Sequence, residues 1–236
     1  PSSTPQAKML QMLAFGAIVI PVAGTYDQAF DLAAELCSEC GWMNRSAGLN
    51  PYLVEGKKTG ALELAEQMGF EVPDVVFVSV GDGSIITGLC KGFKELRLLG
   101  FTERCPKVFG VQATGSNVLV KAWDRFLSTG ETILEPRSDA FTIADSICVG
   151  EPREGIRALK SVKSLGGSII DVGDDEILSA MKRLPLDTGV FAEPASAAAY
   201  AGLIRMAPTL SPGTTAAVMI TGSGLKDPAT AGTLWR

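Results

Sequence analysis

Short apolar runs separated by amphipathic stretches of about ten to fifteen residues constrain this chain more than any other feature. The runs at 17–22, 75–80, 107–112, 168–172 and 214–220 are strand-length and mostly apolar, the pattern of strands covered on both faces. Helical patterns occupy 6–15, 27–40, 57–68, 85–99, 117–126, 154–165, 174–184 and 194–206, and Gly16, Gly69 and Gly100 stand where three of them stop. Strands that alternate with helices of this length call for right-handed crossovers. The expected fold is therefore α/β, a mainly parallel, doubly wound sheet with helices on both faces.

Composition then narrows the chemistry. With 236 residues the chain can bury a sizeable core. A net charge of −5 leaves no basic field for a nucleic-acid backbone or an anionic membrane surface, so neither is an expected partner. No apolar run approaches the roughly 18 residues needed to span a bilayer. The chain holds no histidine, which removes Ser-His-Asp and Cys-His nucleophile schemes and His-ligated zinc. Enzymatic chemistry must then come from a cofactor or from Lys, Asp and Glu; no metal site is expected. Five cysteines, an odd number, with no leading apolar signal segment fit a reducing compartment, and a cytoplasmic location is expected. Cys37 and Cys40 form a C-x-x-C within a helical stretch and read as two half-buried thiols. The chain opens on Pro1 in a loop-like Pro-Ser-Ser-Thr-Pro rather than on Met, so it is expected to be a piece of something longer.

Three segments carry chemistry. The run at 75–80 leads directly into Gly81-Asp82-Gly83-Ser84-Ile85, and a helix begins inside that loop. Strand, glycines and helix start aim backbone N–H groups at an anion. An unoccupied tight strand-to-helix turn is the structural alternative. Ile86 stands where a Rossmann fingerprint needs glycine, and Leu89 stands where a P-loop needs lysine. The last apolar run delivers Thr221-Gly222-Ser223-Gly224 at its carboxyl end, where open parallel sheets bind ligands; a turn leaving the sheet explains it equally well. Glu193-Pro194-Ala195-Ser196 heads an alanine-rich helix, and acid followed by proline there is also plain capping chemistry.

Together these segments resemble a known family. The stretch Asn50-Pro51-Tyr52-Leu53-Val54-Glu55-Gly56-Lys57-Lys58-Thr59, the glycine loop with 91–95 behind it, and Gly110-Val111-Gln112-Ala113 are similar to the threonine synthases. So are Thr142-Ile143-Ala144-Asp145-Ser146-Ile147, Phe191-Ala192-Glu193-Pro194-Ala195-Ser196 and 221–227. Order and spacing match over essentially the whole chain, which is identified as a member of the tryptophan-synthase-β-like (fold type II) pyridoxal-phosphate enzymes. The resemblance implies that the cofactor phosphate sits on Gly81, Asp82, Gly83, Ser84 and Ile85, and that Thr221 meets the pyridine nitrogen. It implies Glu193 and Ser223 as supporting groups nearby.

The resemblance also implies a Schiff-base lysine in a segment lying before the region that matches Pro1, so no catalytic residue is expected in this chain and the fold is expected to be N-terminally truncated. Lys226 belongs to the C-terminal motif instead. Residues 1–46 then correspond to a remnant of the small domain and 47–236 to most of the large, cofactor-binding one. The expected activity of the complete enzyme, a possible homodimer, is a carbon-oxygen lyase reaction of threonine biosynthesis on an amino-acid substrate: O-phosphohomoserine and water to threonine and phosphate. Leu53 stands where an arginine that helps hold the substrate phosphate is expected. A threonine/serine ammonia-lyase or a cysteate synthase-like enzyme is therefore the alternative, and a non-catalytic anion- or nucleotide-binding α/β module is the alternative from another class.

Overall fold

Four parallel strands form the sheet of the computed structural model, which describes residues 1–234. They are β1 (Val75–Ser79), β2 (Lys107–Ala113), β3 (Ser168–Val172) and β4 (Ala216–Met219), in the order β3-β2-β1-β4. Every residue of β1 is buried, as a central parallel strand requires. Alternation sorts its side chains: Val76 and Val78 pack into one apolar cluster, Val75 and Phe77 into the other. Phe77 pairs in register with Phe109 of β2, and their rings stack with centroids 4.9 Å apart.

Helices cover both faces. The Val76 face receives α3 (Tyr52–Gln67), α4 (Ser84–Leu98), α5 (Val118–Thr129) and α6 (Gly155–Ser164); the Phe77 face receives α7 (Asp174–Thr188), α8 (Pro194–Met206) and the short α9 (Pro228–Gly232). The expected doubly wound α/β architecture is the one observed. Helix α7 runs past the expected stop at 184 because Pro185 lies in its last turn, where little of the hydrogen-bond ladder remains to lose; Gly189 in the left-handed conformation ends it.

The two N-terminal helices, α1 (Gln6–Ala14) and α2 (Tyr26–Cys40), bury almost nothing: no residue of α1 and only Phe30 of α2. Polar ties hold α2 instead. The Asp27 carboxylate accepts the backbone N–H groups of Gly150 and Glu151 at 3.0 and 3.1 Å, and Arg153 bridges Asp31 while lying over the Phe30 ring.

Two expectations fail here. Residues 17–22 do not form a strand: Ile18 and Ile20 are 92% and 68% exposed. A strand needs a ladder partner for its N–H and C=O groups, and none of the four strands pairs with this segment; Ser2 N–H on the Val22 carbonyl is its one long-range backbone bond among the described residues. Cys37 is half-buried as expected, but Cys40 at the end of α2 is exposed.

Candidate functional site

Strand order sets the position of the site. From β1 the chain winds one way to β2 and β3 and the other way to β4, so the order reverses between β1 and β4. Ligands of open α/β sheets bind outside the carboxyl ends of strands at such a switch point. The glycine loop continues β1, and Thr221 lies just past β4. A cavity of about 270 Å³ opens between them. Gly81, Asp82, Gly83, Ser84 and Ile85 all line it, with Thr221 and Glu193 on the other wall.

Gly83 caps α4 with φ +95°, and a Cβ there would lie 2.9 Å from the Ala158 Cβ. Backbone conformation and packing both demand glycine. The N–H groups of Ser84, Ile85 and Ile86 open the helix and have no acceptor one turn back, whereas Thr87 N–H already reaches the Gly83 carbonyl. Lys57 of α3 brings its Nζ to 2.8 Å from Ser84 Oγ, and burial lowers its pKa against the opposing pull of Asp82 and Glu154.

Both carboxylate oxygens of Asp82 are tied to neighbours. Its carboxylate accepts the Tyr26 hydroxyl and the Arg153 backbone N–H, linking α2 to the glycine loop. Burial holds it above the usual carboxylate range, although both hydrogen bonds pull the other way; burial, with Asp82 beside it, also pushes the Tyr26 hydroxyl upward.

On the opposite wall, Thr221 Oγ1 lies 3.0 Å from Ser196 Oγ, which also accepts Gly222 N–H at 2.7 Å. Ser196 is fully buried in α8 and so fixes the turn that presents Thr221. Glu193, 2% exposed, sits between cations: Lys226 Nζ is 3.1 Å from Oε1 and Lys8 Nζ 3.5 Å from Oε2. A Cβ at Gly222 would strike that carboxylate at 2.0 Å, so glycine there makes room for Glu193. Lys8 also binds Asp145 and Ser146, each at 2.8 Å.

Ser223 is the predicted site residue that does not reach the cavity. It is exposed and caps the turn at 224–226 by accepting Leu225 N–H. Lys8, Lys57, Ser146 and Ser196 are the additions. Lys57, Ser146 and Ser196 fall inside segments that carry the resemblance, but their roles were not legible because each meets its partner at least 25 residues away.

A cradle of free N–H groups beside an ammonium, faced by a held hydroxyl and a buried carboxylate, fits a phosphorylated ring with a polar atom at its far end. Fold and site thus define a doubly wound α/β protein with a polar crevice lined by a helix N-terminus at its switch point. The chain belongs to the pyridoxal-phosphate dependent enzyme family, whose sequence pattern matches residues 1–222, and pyridoxal phosphate is that family's cofactor. Over 226 residues it is 38% identical to a threonine synthase of Methanosarcina acetivorans, covering 94% of this chain and 54% of that protein. Over 223 residues it is 37% identical to a threonine synthase of Methanocaldococcus jannaschii, with the same coverage. The chain therefore spans about half the length of these relatives. Among solved structures, the processed form of threonine deaminase isoform 2 from Solanum lycopersicum superposes on all of this chain and 64% of that one, with a TM-score of 0.78 at 24% identity, a likeness of fold.

Proposed function

We propose that this chain is the larger part of the cofactor-binding region of a threonine synthase-like lyase, an enzyme converting O-phosphohomoserine and water to threonine and phosphate. The observation that carries the reading is one cavity joining the glycine loop to the Thr221–Ser196 pair across the β1/β4 switch point. Similarity to the archaeal threonine synthases supports the choice of reaction.

In this reading Gly81, Asp82, Gly83, Ser84 and Ile85 hold the cofactor phosphate through backbone N–H groups and the helix dipole. Thr221, oriented by Ser196, hydrogen-bonds the pyridine nitrogen as a neutral partner and leaves it largely unprotonated. Bound pyridoxal phosphate supplies an electron sink for elimination and replacement at the substrate's side chain. Glu193 stands beside the ring as a carboxylate balanced by Lys8 and Lys226. Residues 1–46 belong to a smaller domain and 47–236 to the cofactor domain. The lysine that anchors the cofactor is none of those in this chain, so the chain by itself is inert. The active protein works in the cytoplasm as a homodimer.

Leu53 favours a second reading, a threonine/serine ammonia-lyase or cysteate synthase-like enzyme. It is partly buried on α3 and does not line the cavity, so no guanidinium is offered from that position to a substrate phosphate. Assay of the product of the whole reading frame with O-phosphohomoserine, O-phosphoserine and threonine separates the readings. Phosphate and threonine from the first substrate support threonine synthase; oxo-acid and ammonia from threonine, with no turnover of the first, replace it by the ammonia-lyase. No cofactor absorbance between about 410 and 430 nm under any loading would leave only the non-catalytic anion-binding module.

A further inference from the structure

The cavity holds two lysines of different standing. Lys226 is committed to the buried carboxylate of Glu193 at 3.1 Å. Lys57 makes no ion pair among the described residues; its ammonium rests on the neutral hydroxyl of Ser84, the first residue of α4, at 2.8 Å. Asp82 and Glu154 act on it through space without binding it. Those same carboxylates oppose any dianion entering the cradle, and a half-buried ammonium that no carboxylate claims is what offsets them.

Backbone packing puts Lys57 there. A Cβ at Gly88 would lie 2.8 Å from the Lys57 Cβ and 2.9 Å from the Val54 carbonyl oxygen; at Gly92 it would lie 2.7 Å from the Ala61 Cβ. Glycines four residues apart on α4 therefore let α3 approach closely along one stripe. The close approach carries a lysine of α3 to the N-terminus of α4, where burial lowers its pKa and leaves its charge under-solvated until an anion arrives.

We infer that Lys57 is a phosphate ligand of this site: its ammonium moves from Ser84 Oγ onto a phosphate-monoester oxygen and makes the crevice select the phosphorylated form of the cofactor over the unphosphorylated one. The inference rests on the proposed phosphate role of residues 81–85 and adds the cation that role lacks.

The test is isothermal titration of this chain with pyridoxal phosphate and, separately, with pyridoxal. In the unsubstituted chain pyridoxal phosphate binds more tightly. Lys57→Gln weakens pyridoxal phosphate about tenfold or more, the scale of one charge-assisted hydrogen bond, while leaving pyridoxal within about twofold; Lys57→Arg restores most of the loss. Lys57→Met, which keeps the aliphatic stem against Gly88, serves as the neutral variant if the glutamine variant does not melt like the parent. Equal pyridoxal phosphate affinity in a neutral variant, or equal loss for both ligands, overturns the role of Lys57 alone. No preference for the phosphorylated ligand in the unsubstituted chain overturns the glycine-loop reading as well.

Discussion

Ser196→Ala removes the atom that ties the end of β4 to α8. Ser196 is fully buried, and its Oγ accepts Gly222 N–H at 2.7 Å and pairs with Thr221 Oγ1 at 3.0 Å. Alanine leaves the Gly222 N–H without its acceptor, a cost of about 1–3 kcal/mol. Thr221 is exposed and re-pairs with water, so its share is small. Taken as about 2 kcal/mol, the loss lowers the melting temperature by about 4–8 °C in a chain of this size. Calorimetric melting measures it, and a double-mutant cycle isolates its origin. Thr221→Val costs less than about 1 kcal/mol in the parent and close to nothing in the Ser196→Ala background, because the hydroxyl pair is already gone. Melting within a degree of the parent, or full additivity of the two substitutions, would refute the reasoning that Ser196 holds this turn.

Three further outcomes follow from the same cavity. Gly83→Val perturbs the fold as well as the anion cradle, since a branched residue at φ +95° lies outside its allowed range and its Cβ meets Ala158 at 2.9 Å; a loss of about 1–3 kcal/mol is expected in urea unfolding, and an unchanged midpoint would contradict the packing. Thr221→Asp places a carboxylate at the proposed pyridine-nitrogen position and shifts the absorbance of bound cofactor in the product of the whole reading frame, whereas an unaltered spectrum counts against the contact. Asp82 has a folded pKa above its unfolded value, so its stabilising share is present at low pH and is lost as pH rises through the folded pKa. Asp82→Asn keeps groups able to meet Tyr26 and Arg153 N–H, and should gain stability relative to the parent as pH rises above the ordinary aspartate value of about 3.9; a difference that stays constant with pH rejects burial as the dominant cause.

Much of the scaffold was legible because its signals are local. Continuous apolar runs such as 75–79, glycine stops such as Gly100 and the strand–glycine–helix junction at 79–84 express preferences that act within a turn or two of chain. The same locality explains the failures. Residues 17–22 have a strand's composition, but a strand exists only beside another, and no neighbour is paired with them. The helical pattern read from sequence stops at 184, yet α7, whose Ile177, Met181 and Leu184 pack in the core, runs one turn further. The site roles that sequence left unassigned are all long-range: Lys8 is 185 positions from Glu193, Lys57 is 27 from Ser84 and Ser196 is 25 from Thr221. Sequence alone therefore determined the alternation of elements and the exclusion of histidine chemistry, which left a cofactor or Lys, Asp and Glu to carry any catalysis, and it singled out the loop at 81–85 as a candidate anion cradle. Tertiary structure decided the β3-β2-β1-β4 order and, with it, which loops face one another, because strand pairing and helix packing are chosen by burial and hydrogen bonding between segments far apart in the chain.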